Sequence, residues 1–264
     1  MSRRRREGNC HICGTYGKLS FEHVPPKSAF NDRPICTPDI RKIIQESDPD
    51  IIRELRGKTS QLGAGGYTLC EPCNNNTGHW FGAYYASWTY QAYSYLLTAK
   101  SETTLSYPYY IYPLHVLKQI ICMFFSINSP KFREKHEDLV RFALNPRDRY
   151  MPGNKRIFVA YTNSDRSRQS GVTGLLKFDS SSGGATSNFY SEISFPPFTY
   201  LLCLDSEPPD SRLMDITFFS HYGYSEFAMI NLAIQLLPIY TWLPGDFRNR
   251  AEVRKQLELA GRVG

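Results

Sequence analysis

Two cysteine pairs, Cys10-His11-Ile12-Cys13 and Cys70-Glu71-Pro72-Cys73, are the first residues whose spacing could do chemistry. A Cys-x-x-Cys turn aims two thiolates at one point, and a tetrahedral Zn²⁺ takes four such ligands at about 2.3 Å. Gly14, directly after Cys13, supplies the tight backbone turn that a metal knuckle needs. A redox reading requires a single Cys-x-x-Cys opening a helix in a thioredoxin-like setting, and this sequence lacks one. Cys10, Cys13, Cys70 and Cys73 are therefore expected to hold one structural zinc with no open coordination position. The remaining three of seven cysteines, Cys36, Cys122 and Cys203, are scattered. An odd total at uneven spacing argues against a disulfide scaffold and for a reducing compartment.

The residues between the pairs add a second kind of chemistry. Leu19-Ser20-Phe21-Glu22-His23-Val24-Pro25-Pro26-Lys27 alternates like a short strand that Pro25 stops. Such a strand ends on an adjacent carboxylate and imidazole, whose side chains point to opposite sides. Asn74, Asn75 and Asn76 follow the last cysteine, ahead of Thr77-Gly78-His79, at the expected start of a helix. Each has a plainer reading. His23 alone is an ordinary strand-end histidine, the asparagines are favoured helix caps, with Asn75 or Asn76 as the cap, and His79 packs against Trp80. Lys27 either contacts phosphate or sits in solvent. A strand bearing Glu-His, followed by a helix opening with Asn beside a zinc knuckle, is nonetheless a ββα-metal arrangement.

On these residues the chain resembles the HNH endonucleases, in particular the cysteine-rich branch that includes the phage recombination endonucleases. The likeness covers about residues 8–82 and rests on Cys10-x-x-Cys13, Glu22-His23, Pro26-Lys27 and Cys70-x-x-Cys73-Asn74. The resemblance implies that His23 is the general base and that Glu22 and Asn74 hold one catalytic divalent ion. Imidazole has a pKa near the working pH and suits activation of water. A carboxylate and an amide carbonyl are hard oxygen ligands suited to Mg²⁺ or Mn²⁺, which would stabilise charge developing on a scissile phosphate. Two positions depart from the family. Glu22 stands where Asp is commoner, and Gly65-Gly66-Tyr67 stands where the middle asparagine of the family name usually lies. Asn75 or His79 is then a candidate for its orienting work. The rival from another class is a non-catalytic treble-clef zinc module that binds nucleic acid or protein.

The elements that must position these residues can be read more coarsely. A short helix is expected around residues 40–55, and an aromatic helix from Thr77 to Thr98. In the second helix Trp80, Tyr84, Trp88 and Tyr95 recur near helical spacing, which reads first as packing and only second as a nucleotide-stacking surface. Farther on, helices are expected at Leu114–Ser126, between Pro130 and Leu144, and at Phe227–Tyr240. Strands are expected at Arg156–Tyr161, Val172–Phe178, Asn188–Ser194, Tyr200–Leu204 and Asp215–Ser220. The expected class is α+β: a treble-clef-like ββα-metal zinc module over residues 1–100, then a mixed α+β domain over 101–264 for substrate selection, oligomerisation or regulation.

Bulk properties narrow the partners. Of 264 residues, 41% are hydrophobic and 14% aromatic, enough for a sizeable core. The longest apolar run lies near Ile120–Ile127, far short of the roughly 20 residues of a membrane span, so no membrane partner is expected. No signal sequence is apparent, and a cytoplasmic location is expected. The net charge of +6 favours anionic partners, DNA first among them. Arg3, Arg4, Arg5 and Arg6 form either a basic arm on phosphates or a solvated terminus. A regulatory protein or a second copy of the chain is the other expected partner. A toxin or antiphage effector switched on by a partner subunit is a setting for the same chemistry.

Overall fold

A computed structural model describes residues 6–46, 48–178, 185–259 and 261. Strands β1 (Glu7–Asn9) and β2 (Tyr16–His23) flank the first cysteine pair and lie antiparallel. An excursion follows: the hairpin of β3 (Ile35–Pro38) and β4 (Gly57–Ser60) encloses helices α1 (Ile40–Gln45) and α2 (Pro49–Glu54). The single helix expected over residues 40–55 is thus two. Asp39 and Asp48 each cap one of them, and Pro49, which has no N–H to donate, can open a helix but not continue one. The chain returns through β5 (Gly65–Cys70), which pairs with β2 to complete a sheet in the order β1-β2-β5.

Helix α3 (Glu71–Thr77) starts on the second cysteine pair and continues through a π-helical turn (Gly78–Gly82) into α4 (Ala83–Thr98). The expected aromatic helix therefore begins six residues early, at Glu71 rather than Thr77. Asn75 and Asn76 lie inside α3 and cap nothing; Cys70 holds the N-cap position. Then come β6 (Thr104–Ile111), α5 (Pro113–Ile127), α6 (Pro130–Lys135) and α7 (Glu137–Leu144). His136 separates the last two, where one helix was expected.

Strands β7 (Lys155–Tyr161), β8 (Arg168–Phe178), β9 (Ala185–Phe195), β10 (Phe198–Leu204) and the two-residue β11 (Met214–Asp215) form an antiparallel sheet in the order β11-β7-β10-β9-β8. The strand expected at Asp215–Ser220 is mostly a 3-10 turn, Thr217–His221. The helix expected at Phe227–Tyr240 is strand β12 (Ala228–Gln235), paired with β6 along its whole length, from Ala228 opposite Ile111 to Gln235 opposite Thr104. Its outer residues Met229, Asn231 and Ala233 are exposed while Leu232 and Ile234 are buried. That period of two is the mark of a half-buried strand. Helix α8 (Arg250–Leu259) closes the described chain. The protein is mixed α and β, and among the described residues no helix is long and apolar enough to cross a membrane.

The boundary expected near residue 100 does not divide the core. One apolar cluster runs from Cys10, Leu19 and Leu69 through Trp88 and α5 to Tyr200 and Ile234. Helix α5 is buried from Pro113 to Ser126. Even Lys118 is submerged: its Nζ donates to the Phe142 and Asn145 carbonyls at the end of α7, which compensates the buried charge. The aromatic stripe of α4 packs inward, as helical spacing predicts. Trp88 is wholly buried, stacks on Phe198 at 4.7 Å, leans on Tyr109 and donates to the Tyr200 hydroxyl at 2.8 Å. Truncating it removes a large ring and leaves that hydroxyl short of a donor. Trp88→Ala is therefore expected to cost about 3–5 kcal/mol and to lower one cooperative transition, read by urea denaturation followed both by circular dichroism and by zinc release.

Candidate metal centre

The two cysteine pairs meet where the three-stranded sheet joins α3. Cys10 and Cys13 lie on the turn from β1 to β2, Cys70 ends β5, and Cys73 sits in the first turn of α3. The first turn is shaped by backbone bonds from Gly14 N to the Cys10 carbonyl, 2.9 Å, and from Cys10 N to the Thr15 carbonyl, 3.0 Å. Gly14 has φ +81°, and a Cβ there would lie 2.7 Å from Arg133 Nη1. The left-handed φ is what calls for glycine here. Arg133 in turn donates from Nε to the Ile12 carbonyl at 2.9 Å. His11 N donates to the Thr68 carbonyl, binding the turn to β5, while the His11 ring reaches the end of α5 at the Ser126 carbonyl, 3.2 Å.

All four sulfurs lie within 4.8 Å of one another, and Cys13 and Cys70 are 3.7 Å apart. Sulfurs about 2.3 Å from a shared tetrahedral zinc are about 3.8 Å apart, whereas a disulfide needs about 2.05 Å. The cysteines are free thiols placed as a cation would hold them. Without a cation, a hydrogen bond from Cys73 draws Cys10 down to about 4, and the same contact pushes Cys73 well above the usual thiol range. One thiolate is easy in this cluster and four are not. These four residues can hold a metal ion such as zinc.

Beside this centre β2 ends on Glu22 and His23. A bulge between Ser20 and Phe21 resets the alternation of the strand against β5. Glu22 turns inward and keeps only 7% of its surface exposed. Its carboxylate makes no hydrogen bond or ion pair with any described residue, and burial pushes its pKa up to about 8. Its charge is felt by Cys122 on the buried face of α5. Buried carboxylates are normally paired, so this one is the anomaly of the molecule.

His23 leaves on the other side, its ring 4.9 Å from Phe21, which contacts Tyr67 in turn at 5.4 Å. Burial and the nearby Lys27 charge depress its pKa, and the Leu62 carbonyl pulls the other way. Asn74, one residue past Cys73, donates from Nδ2 to Ser20 Oγ at 3.0 Å and the Phe21 carbonyl at 3.2 Å. This fixes its orientation, and its Oδ1 accepts no hydrogen bond from any described residue. Asn74 is thereby tied to β2 at the bulge just ahead of Glu22.

The other expected site residues separate. Lys27 is exposed four residues past His23. Arg6 lies over the Tyr67 ring at 4.3 Å, while Arg3, Arg4 and Arg5 fall outside the described residues. Asn75 and His79 are exposed, neither makes a described side-chain hydrogen bond, and His79 has no described ring contact with Trp80. A buried asparagine that residue types alone do not single out is Asn31. It is 1% exposed, donates from Nδ2 to the Pro25 and Ala64 carbonyls and accepts from Ala64 N, each at 2.7 Å. It clamps the loop after His23 to the turn before β5. The one available signal was an Asn after Phe30 in a turn-rich stretch, which does not distinguish a clamp from a turn residue. Gly65, opposite His23, is needed where it stands, since a Cβ there would lie 2.0 Å from the Glu22 carbonyl. No protein family, curated protein or solved structure matches this chain.

Two outcomes follow. Purified protein should carry about one zinc per chain, and Cys73→Ser should lose it and unfold the sheet around it; zinc content by plasma emission and thermal melting check this. For Glu22 the sign runs against stability. Its folded pKa of about 8 exceeds the ordinary 4.5, so folding takes up a proton and wild-type stability falls as pH rises between those values. At about 1.4 kcal/mol per pKa unit, Glu22→Gln should stabilise the divalent-free protein by about 2–4 kcal/mol at pH 8 and not at all at pH 4. Equal melting shifts at both pH values would contradict the burial of an unpaired carboxylate.

Proposed function

We propose that the chain is a divalent-metal-dependent nuclease of the HNH type that hydrolyses DNA phosphodiester bonds, on a ββα-metal, treble-clef-like module stapled by zinc at Cys10, Cys13, Cys70 and Cys73. The observation that carries this reading is the unpaired, buried carboxylate of Glu22 next to a half-buried histidine whose pKa is depressed. A module that only binds has no use for either. Burying a carboxylate without a partner is costly, and a site that keeps one is suited to a cation.

Each residue then has a task. His23, with its pKa depressed by burial, is largely neutral near pH 7 and takes the proton of an attacking water. Glu22 and the free Oδ1 of Asn74 supply hard oxygen ligands for Mg²⁺ or Mn²⁺. Such an ion supplies charge stabilisation at the scissile phosphate and leaving oxygen. Lys27 and Arg6 offer positive charge to the phosphate backbone. Zinc, closed by four thiolates, stays structural.

The test is plasmid nicking with Mg²⁺ or Mn²⁺. His23→Ala should slow cleavage by about 10²–10⁴-fold with DNA binding and zinc content nearly unchanged. Glu22→Gln and Asn74→Ala should abolish the rise in melting temperature that Mn²⁺ gives wild type. Wild-type cleavage by His23→Ala, in a preparation free of contaminating nuclease, would sink the mechanism and leave a binding module.

A further inference from the structure

A cleft of about 1050 Å³ opens beside the loop that follows His23. One wall is that loop, with Lys27, Phe30 and Arg33; another is the exposed face of α4, with Tyr90 and Tyr93; the far side is formed by residues 164–167 and 195–196. The α4 residues the sequence reading singled out pack inward, but Tyr90 and Tyr93 do not: they remain 55% and 42% exposed. The Phe30 ring lies 4.7 Å from Tyr90 and 4.8 Å from Tyr93, tilted against both. Together they make a three-ring wall open to solvent.

Phe30 is held there against its own preference. Its φ of +68° is in the left-handed region, which bulky side chains avoid. The neighbouring Asn31 clamp, with three hydrogen bonds, fixes the loop in that shape. A strained residue kept by a buried clamp, presenting an aromatic ring to a cleft, points to use rather than packing alone. Lys27 and Arg33 are exposed and have no described ion-pair partner, so both are available to phosphates. Asp32 also lines the cleft; a carboxylate there can accept from the exocyclic amino group of a base. Lys27, which lines the cleft, stands four residues past His23 on the loop that leaves the proposed base.

Aromatic rings interleaved with unpaired cations are the surface that unpaired nucleotides bind, since every base offers a face for stacking while phosphates follow the charge. A continuous duplex keeps its bases stacked on each other and has none to offer. We infer that this cleft binds a single-stranded segment of nucleic acid, so that the substrate of the proposed nuclease carries unpaired nucleotides next to the bond cut. This rests on the nuclease reading for its catalytic meaning but not for the binding itself.

The experiment uses the full zinc-loaded chain in the His23→Ala background, which keeps probes intact. Fluorescence anisotropy with labelled oligo-dT, oligo-rU and a blunt duplex of equal length is compared for that background, for added Tyr90→Ala/Tyr93→Ala, and for added Arg33→Glu. Tight binding of a single strand is expected, with the DNA and RNA arms showing which sugar is preferred. The tyrosine pair should weaken it by about 10–100-fold, given the worth of base stacking, and move duplex binding less than twofold. Both tyrosines are exposed, so the fold should survive; Arg33→Glu, also exposed, gives a second reading through a shallower salt dependence. Single-strand affinity unchanged in both variants, or no single-strand binding at all, overturns the proposal. Plasmid nicking by the wild-type chain, together with unaltered single-strand affinity in the tyrosine variant, would remove the cleft and keep the nuclease. Cleft-dependent binding without wild-type nicking would do the reverse.

Discussion

Four sulfurs within 4.8 Å of one another set a condition that the whole N-terminal sheet must meet. As thiols they are a poor core, and as thiolates they repel at short range in a half-buried site. A tetrahedral dication resolves both, which is why metal affinity and folding are one free energy in such a cluster. The geometry shows what that free energy holds in place. Cys70 ends β5 and Cys73 opens α3, so closing the centre fixes the angle between strand and helix. Asn74 comes one residue later and reaches β2 only because that angle is set. A metal held there would position a side chain it does not touch.

Glu22 represents the opposite bargain. Its burial destabilises the fold, and no described residue relieves it. The bulge at Ser20/Phe21 sends it inward, and Gly65 allows β5 to approach the Glu22 backbone closely enough to seal it. A glutamine or a leucine there would make a more stable protein. Sites that keep a destabilising group are where function and stability trade against each other. His23, the next residue, has the complementary treatment: half-buried and set near the Lys27 charge. Adjacent residues in one strand thus have their pKa values pushed in opposite ways, one carboxyl up and one imidazole down, which is how environment assigns different tasks to neighbouring groups.

The cysteine cluster was legible because two Cys-x-x-Cys pairs constrain geometry without knowledge of the fold. The inward stripe of α4 and the strands around Tyr161 and Tyr200 followed from periodicity for the same reason. The failures have equally local causes. Residues 227–240 are apolar enough for a helix, and only the alternation of Met229, Asn231 and Ala233 against Leu232 and Ile234 marks the strand; its partner β6, rich in tyrosine with a central Pro108, was not read as a strand. Pairing between segments that far apart in sequence overrides local preference. The helix start at Glu71 was missed because the asparagines looked like caps, whereas Cys70 holds that position without a side-chain bond. Asn31 was invisible because its role depends on Ala64, 33 residues away. Of the candidate site, residue types could be read, but burial and partners could not.

The C-terminal half is best understood through what it does to that site. Helix α5 puts Cys122 near Glu22, takes the His11 ring at its end, and joins β5 through the Thr68 and Ser126 hydroxyls, 2.5 Å apart. Arg133 on α6 holds the first cysteine turn, and Gln169 on β8 donates to the Val24 carbonyl just past His23. Exposed to water, Glu22 would be an ordinary carboxylate; buried, it lies within electrostatic reach of Cys122 on α5. Residues 101–264 therefore meet the centre from the side, bonding the first cysteine turn and the loop past His23 without supplying a cysteine ligand.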